Sequence, residues 1–419
     1  MSKVLLTFLG RVPKGERGYR TTRYDFGDGS DESPTAFFGW SLQRRLNPDR
    51  LVILGTPGSM WDHLFEGDAA FGDADDTAME LLDAVEEKRV TAAHLAPLES
   101  LLSARLGCEV CLALIPYARD SAEQVELLRI MADHVGQGDR VDLDVTHGFR
   151  HLPMLAILAA LHLRSVRGAD IGDIWYGAFD PDSGEAPVHD LAGLLHIADW
   201  LQALHTYDKD GDYGAFAPLL GPAGTLLDEA AFFERTSNPV KAREKLTTWS
   251  GRADRFPSDD PAVALFSDAL NSRVSWYRGS ARADWERTLA QQYMDRQDYL
   301  RAAIYAQESA ITAKVARDRG NINDYQFRDE ARAELKSDTS FWILSQLRNA
   351  LAHGVRPTDA RILKIISTRE MLDSTLRDLL RKLSKLTYRS GHRPLVIHRC
   401  PRSTRAQPGW SDITCKLFD

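Results

Sequence analysis

The first 190 residues alternate between the two periodicities of regular secondary structure, whereas the remaining residues carry only the helical one. Apolar runs bounded by turn residues predict strands at 4–9, 50–55, 108–115, 141–145 and 173–179. Helical patterns are found at 34–46, 77–88, 121–135 and from 152 onward, and 19–26 is predicted as a strand or hairpin arm. This rhythm of strands and helices predicts an α/β fold with a mainly parallel sheet and helices on both faces.

Beyond about residue 190 the pattern predicts an all-α region. Helices are predicted at 193–206, 226–233, 240–249, 262–275, 281–291, 300–315, 331–335, 340–353 and 361–385. A chain of 419 residues is too long for one ordinary hydrophobic core. We therefore predict an N-terminal domain at 1–190 and a helical domain at 191–419, in which 191–280 is a helical connector.

Composition limits the class of protein and its compartment. Hydrophobic residues make up 43% and charged residues 27% of the chain, and no apolar run approaches the roughly 18 residues that a membrane span requires. The sequence enters a strand without a secretory leader, so we expect a cytoplasmic protein with no membrane partner. The net charge is −8, yet 361–405 carries twelve Lys or Arg against three Asp or Glu. That segment is either a surface facing a polyanion or a solvated basic helix face.

Four cysteines in this length do not form a disulfide scaffold. Cys108 and Cys111 have C-x-x-C spacing, but they belong to the predicted strand 108–115. Residues three apart on a strand point to opposite faces, and Cys400 and Cys415 lack the matching spacing. We therefore predict no metal site.

A polar motif follows the strand at 141–145, namely Asp144-Val145-Thr146-His147-Gly148-Phe149-Arg150. The helix after it has Pro153 in its first turn, a position that proline favours. Helix N-termini bind phosphates because they present free N–H groups and partial positive charge. The motif is thus either a phosphate-binding turn or an ordinary strand–helix turn with a capping threonine and a flexible glycine.

Two other loops leave predicted strands at the same edge of the sheet. One follows Gly10, and the other is Thr56-Pro57-Gly58-Ser59-Met60-Trp61. Ligands of open α/β sheets bind at the carboxyl ends of the strands, near the point where the strand order reverses. The three loops therefore predict a ligand site.

A second motif ends a predicted helix, Arg348-Asn349-Ala350-Leu351-Ala352-His353-Gly354. An imidazole can act as general base or acid near neutral pH, and a guanidinium can stabilise charge on a phosphodiester. Asn349 can donate a further hydrogen bond. Because RNA supplies its own nucleophile, the 2′-hydroxyl, such a site requires no metal. The alternative is an ordinary helix C-terminus with cations near its negative dipole end.

The order of the two motifs in one chain resembles a known family. The motif at 144–150 matches the signature of the CRISPR-associated DxTHG family, and Phe8-Leu9-Gly10, 19–26 and 54–61 resemble the N-terminal segment of that family. The motif at 348–353 resembles the R-x(4–6)-H motif of HEPN ribonucleases. The chain is similar to the CARF–HEPN effectors of type III CRISPR systems, which implies a Rossmann-like CARF domain followed by a HEPN domain.

That resemblance implies a mechanism for antiviral defence. A cyclic oligoadenylate, with cyclic tetra-adenylate as the expected ring, would bind a symmetric pocket in a homodimer or higher oligomer. The implied pocket residues are Gly10, Thr56, Ser59, Thr146, His147, Gly148 and Arg150, with Asp144 orienting the motif. The HEPN domains would cut single-stranded RNA without a metal, using Arg348, Asn349 and His353.

Three other classes of function compete with this interpretation. A non-catalytic, ligand-gated regulator would require a DNA-binding helical motif, which the sequence does not clearly contain. A ring nuclease would instead degrade the cyclic ligand in the N-terminal pocket. A nucleotide-dependent metabolic enzyme would be expected to show a G-x-G-x-x-G or P-loop motif after the first strand, and neither is present.

Overall fold

The structure is a computed structural model, and it describes residues 1–15, 18–30, 33–65, 75–149, 151–353 and 357–387. The chain divides into two compact units, Met1–Ala203 and Leu204–Asp419. The division falls inside one helix, Gly193–Asp210.

The first unit is built on a seven-stranded, mostly parallel sheet. Its strands are β1 (Lys3–Leu9), β4 (Arg23–Asp25), β5 (Arg50–Gly55), β6 (Glu109–Leu114), β7 (Arg140–Asp144), β8 (Asp170–Gly177) and β9 (Glu185–Asp190), and β2 (Lys14–Gly15) and β3 (Gly18–Tyr19) form a separate hairpin. The strand order is β4-β9-β8-β7-β1-β5-β6, and only β8 and β9 pair in antiparallel fashion. The chain extends the sheet from β1 to β5 and β6, and then returns to place β7 on the other side of β1. The order therefore reverses at β1 and β7, where ligands of such sheets bind.

Helices cover both faces of this sheet. They are α1 (Phe38–Leu46), α2 (Asp75–Glu86), α3 (Ala92–Leu106), α4 (Ser121–Asp133), α5 (Leu152–Arg167) and α6 (Gly193–Asp210). Alternate residues of β1 supply both cores: Leu6 packs in the cluster that includes α4 and α5, and Leu5 packs in the cluster that includes α1 and α3. Because side chains of a strand alternate between faces, one apolar run fills two layers.

The second unit is helical throughout its described residues. Its helices are α7 (Gly224–Arg235), α8 (Pro239–Gly251), α9 (Val263–Arg273), α10 (Arg282–Asp295), α11 (Tyr299–Arg317), α12 (Tyr325–Leu335), α13 (Thr339–His353), α14 (Ala360–Ile365) and α15 (Arg369–Thr387). Short 3-10 helices lie at Tyr213–Leu219, Gly221–Ala223 and Ser275–Arg278. Helix α11 packs against α10, α12, α13 and α15 and is therefore the central helix of this unit.

The two units confirm the predicted fold class, a Rossmann-like α/β region followed by an all-α region. Five details of the prediction were wrong. The segment 19–26 is split between β3 and β4, helix α1 begins at Phe38 instead of residue 34, and 361–385 contains two helices. The sequence pattern also missed α3 and the strand β9, which lies between β4 and β8. The acidic segment 66–76, whose composition predicts a loop, lies mostly outside the described residues. Within the described part of the chain, no helix is both long and apolar enough to cross a membrane.

Candidate functional site

The loops after β1 and β7 meet at two glycines. A Cβ atom added to Gly10 would lie 2.6 Å from the amide nitrogen of Gly148, a distance that real Cβ atoms do not reach. Gly148 has a φ of +109°, which side chains rarely adopt, and a Cβ there would lie 2.7 Å from a methyl carbon of Leu152. The close approach of the two loops therefore requires glycine at both positions.

Asp144 organises the turn after β7 from a fully buried position. One carboxylate oxygen, Oδ2, accepts a hydrogen bond of 2.6 Å from the Thr7 hydroxyl, and Oδ1 accepts one of 2.8 Å from the amide of Thr146. The Thr146 hydroxyl in turn accepts a hydrogen bond of 2.8 Å from the amide of Gly177. Burial raises the pKa of Asp144 to about 6, against the opposing effect of these hydrogen bonds. Asp144 thus fixes β1 and the motif relative to each other, the orienting role that the sequence predicted.

His147 points into the protein rather than towards the open end of the sheet. Its Nε2 accepts a hydrogen bond of 3.1 Å from the amide of Phe38, and the Tyr24 hydroxyl lies 3.2 Å from the same nitrogen. The residue is 9% exposed, and burial lowers its pKa to about 4, so the ring is neutral at pH 7. The ring stabilises the N-terminus of α1, and ligand contact by it stays a prediction.

The loop after β5 packs against Gly10 through its backbone. The carbonyl of Gly10 accepts a hydrogen bond of 2.9 Å from the amide of Met60. The Thr56 and Ser59 hydroxyls lie 3.2 Å apart, and the Ser59 hydroxyl accepts a hydrogen bond of 2.9 Å from the Thr56 amide. Both side chains are buried, so they hold the shape of the loop.

The structure therefore brings six of the seven predicted ligand-binding residues together at the carboxyl ends of β1, β5 and β7. The seventh, Arg150, lies outside the described residues.

The predicted catalytic residues lie on the last turns of α13. Arg348 is half-buried, whereas Asn349 and His353 are exposed. The Nε atom of Arg348 donates a hydrogen bond of 3.1 Å to Oε1 of Gln307 on α11. Gln307 is itself 3% exposed, and its Nε2 donates a hydrogen bond of 3.3 Å to the Ser345 hydroxyl. Gln307 thus anchors the Nε atom of the Arg348 guanidinium. His353 lies at the exposed end of the helix.

Gln307 was not identified from the sequence. A glutamine inside a helix is usually a solvent-facing residue, and only the packing of α11 against α13 shows that this one is buried.

The two cysteines of the C-x-x-C spacing lie in different layers, as their spacing on a strand predicted. Cys111 packs against the cluster beneath α4 and α5, and Cys108 packs against the cluster beneath α1 and α3. Among the residues that the structure describes, no three His, Cys, Asp or Glu side chains are grouped so that they could hold a metal ion.

Three comparisons relate the chain to known proteins. Residues 4–178 match the family described as the CARF domain of the CRISPR system endoribonuclease Csx1. The CRISPR-associated protein MJ1674 of Methanocaldococcus jannaschii is 25% identical over 247 residues, which cover 52% of this chain and 38% of that protein. The matched stretch thus spans less than half of the relative. A solved structure of Enterococcus italicus Csm6 bound to cyclic hexa-2′-fluoro-hexa-dAMP covers 92% of this chain and 95% of its own, with 11% identity and a TM-score of 0.33.

The matched region coincides with the sheet and the three converging loops. Its bounds include β1 and end just after β8, so they contain the buried Asp144 and the pair of close-packed glycines. Residues 4–178 are thus similar to CARF domains of the Csx1 type.

Proposed function

We propose that this chain is an endoribonuclease that is switched on when a cyclic oligoadenylate binds its CARF domain, in type III CRISPR antiviral defence. The observation that carries the proposal is the coincidence of the family match with the loop convergence at Gly10 and Gly148. That convergence lies where the strand order reverses, the usual ligand position in such a sheet.

The backbone of the convergence suits a phosphodiester ring. Gly148 is exposed, and the first turn of α5 begins four residues later, at Leu152. Free N–H groups of such a turn can donate to phosphate oxygens, and glycine lets the ligand approach the backbone closely. A cyclic oligoadenylate with two-fold symmetry would be matched by two copies of this surface in a homodimer.

The chemistry that we assign to α13 is metal-independent transesterification. His353 takes the proton from the 2′-hydroxyl of the RNA, whose oxygen attacks the adjacent phosphorus atom. The bond to the 5′-oxygen breaks, and that oxygen is protonated as it leaves; the products are a 2′,3′-cyclic phosphate and a 5′-hydroxyl. Arg348 and Asn349 stabilise the negative charge that builds on the phosphorus oxygens. Two observations support this division of roles: His353 is exposed, and the Nε atom of Arg348 is anchored by a hydrogen bond to Gln307.

Two alanine variants test the assignment. In Arg348→Ala and His353→Ala we expect RNA cleavage to fall at least 100-fold, with unchanged affinity for the activator. Arg252→Ala, a partly exposed arginine of the helical unit that pairs with Asp254, is the matched control and should cleave normally. Full activity in purified His353→Ala would refute the catalytic assignment. If the activator disappears over time while RNA stays intact, the ring-nuclease alternative is correct instead.

A further inference from the structure

An aromatic cluster stands next to the loop convergence and has no part in the function described so far. It consists of Tyr117, which follows β6, and of Phe149 and His151, which follow β7; we call these three residues the aromatic rim. Strands β6 and β7 are separated in the sheet by β1 and β5. At about 4.8 Å per strand, the two loops begin roughly 14 Å apart. Nevertheless, the Tyr117 and Phe149 ring centroids are only 5.8 Å apart, so the loops converge over the carboxyl ends of β1 and β5.

The rim is held in a defined geometry. The rings of Phe149 and His151 stack with a centroid distance of 5.8 Å and an interplanar angle of 20°. His151 Nε2 lies 3.0 Å from the carbonyl oxygen of Tyr117. Because a carbonyl oxygen only accepts, this nitrogen carries the proton, and the bond ties the loop after β7 to the loop after β6. Phe149 nevertheless remains 48% exposed, so its ring is fixed in place without being buried.

A cation accompanies the rim. The guanidinium of Arg119 lies 4.6 Å from the centroid of the Tyr117 ring, and Arg119 is exposed. Ala118 between them is 3% exposed and has a φ of +55°, a left-handed conformation that is unfavourable for alanine. Strained residues of this kind persist where the surrounding structure over-determines them, and they cluster at ligand sites. Here the strained turn brings an aromatic ring and a guanidinium together at the sheet edge.

The rim is continuous with the loop after β5. A Cβ atom added to Gly58 would lie 3.2 Å from the Tyr117 hydroxyl oxygen and 3.0 Å from Cγ of Lys88. Lys88 is exposed, so a second cation borders the same edge. Gly58 lies between Thr56 and Ser59, and the rim therefore borders the loops to which the activator was assigned.

We propose that the aromatic rim is the base-recognition part of the activator site, where an adenine stacks on the exposed Phe149 ring and Arg119 contacts a neighbouring phosphate. This inference rests on the proposed function. The phosphodiester ring alone could be bound by backbone amides and would carry no information about its bases. Exposed aromatic rings beside cations bind nucleobases through stacking and cation–π contacts. Among the described residues of the site the rim has this chemistry, whereas Thr56, Ser59 and His147 are buried and hydrogen-bonded internally.

Leucine and tyrosine substitutions separate stacking from mere apolar contact. Affinities for cyclic tri-, tetra- and hexa-adenylate are measured by titration calorimetry on the full chain, with melting temperature and oligomeric state recorded for each variant. We expect Phe149→Leu to bind whichever ring the wild type binds about tenfold to 100-fold more weakly. Phe149→Tyr, which keeps an aromatic ring, should bind within about threefold of wild type. Phe232→Leu is the control, since Phe232 is an exposed phenylalanine of the helical unit, at 61% exposure.

The outcomes distinguish the inference from the proposed function. Equal affinity of Phe149→Leu and wild type would overturn base recognition by the rim and leave the proposed function standing. Loss of affinity that occurs only together with loss of self-association would show that Phe149 is a subunit contact, which also overturns the inference. If the wild type binds none of the three rings, the proposed function fails, and the inference fails with it.

Discussion

The hydrogen bond between Gln307 and Arg348 offers a test of the helical unit in which the catalytic residues themselves stay intact. Gln307→Met keeps the length and approximate volume of the side chain but removes the acceptor for Arg348 Nε. Ser345 keeps its own bond to the carbonyl of Phe341, so no hydroxyl is left without a partner. The variant should therefore fold with a modest loss of stability, about 1 kcal/mol.

The expected effect on catalysis is larger than the effect on folding. A hydrogen bond to a charged group contributes about 1.5–3 kcal/mol, and its loss releases a guanidinium that must be aligned with the phosphorus oxygens in the transition state. If most of that energy is used in the transition state, kcat falls about tenfold to 100-fold, because 1.4 kcal/mol corresponds to a factor of ten. The KM for RNA and the affinity for the activator should change little, since neither depends on the orientation of Arg348.

Single-turnover RNA cleavage at saturating activator measures this loss directly. Gln307→Glu is the matched variant: it restores an acceptor for Arg348 and should recover most of the rate if Gln307 acts by positioning the guanidinium. A melting curve for each variant separates misfolding from misalignment. A kcat for Gln307→Met within twofold of wild type would refute the positioning role, as would a kcat loss that follows the melting temperature alone.

Three further substitutions test the loop convergence and two buried titratable groups. Gly10→Ala places a Cβ 2.6 Å from the Gly148 amide nitrogen, so we expect activator affinity by calorimetry to fall at least tenfold; unchanged affinity would contradict the assigned site. Burial raises the pKa of Glu234 from its usual 4.5 to about 7, so its stabilising contribution is full below pH 4.5 and is lost as the pH rises to 7. Glu234→Gln should remove this loss of about 3 kcal/mol, measured by urea unfolding at pH 5 and pH 8. His147→Ala removes the acceptor of the Phe38 amide and should lower stability by about 1–3 kcal/mol at pH 7. Because burial lowers the pKa of His147 to about 4, the contribution of the neutral ring to stability is lost as the pH falls from 6.5 to 4. Wild-type stability of His147→Ala at pH 7 would contradict the stabilising role of the bond to Phe38.

The local periodicity of the sequence was sufficient to predict the sheet and most of the helices. The strand at 50–55 was predicted with its observed bounds because it is a continuous apolar run, buried on both faces, between turn residues. Strand β9 was missed because four of its six residues are exposed, so its sequence lacks the apolar run of a buried strand. Helix α3 was missed because it contains Pro97 and buries a narrow stripe of three leucines, Leu95, Leu98 and Leu102.

The sequence predicted where the candidate site lies but not all of the contacts within it. Loops that leave parallel strands at one edge are expected to meet, so Gly10 and Gly148 could be assigned to one site from the chain alone. The sequence did not show that the His147 ring turns inward to the amide of Phe38, because that depends on where α1 packs. Nor did it show that Tyr117 and Phe149 come together, since they are 32 positions apart and follow strands that are not neighbours.

We propose that one ligand bound in the N-terminal domain switches on RNA cleavage by the helical domain without a metal. The most direct measurement is cleavage of end-labelled single-stranded RNA by the full chain in EDTA, with cyclic tri-, tetra- and hexa-adenylate added separately. We expect one ring size to stimulate cleavage at least 100-fold and to leave 2′,3′-cyclic phosphate ends, with no stimulation in His353→Ala. Cleavage that is equal with and without every ring, or that persists in His353→Ala, would contradict it.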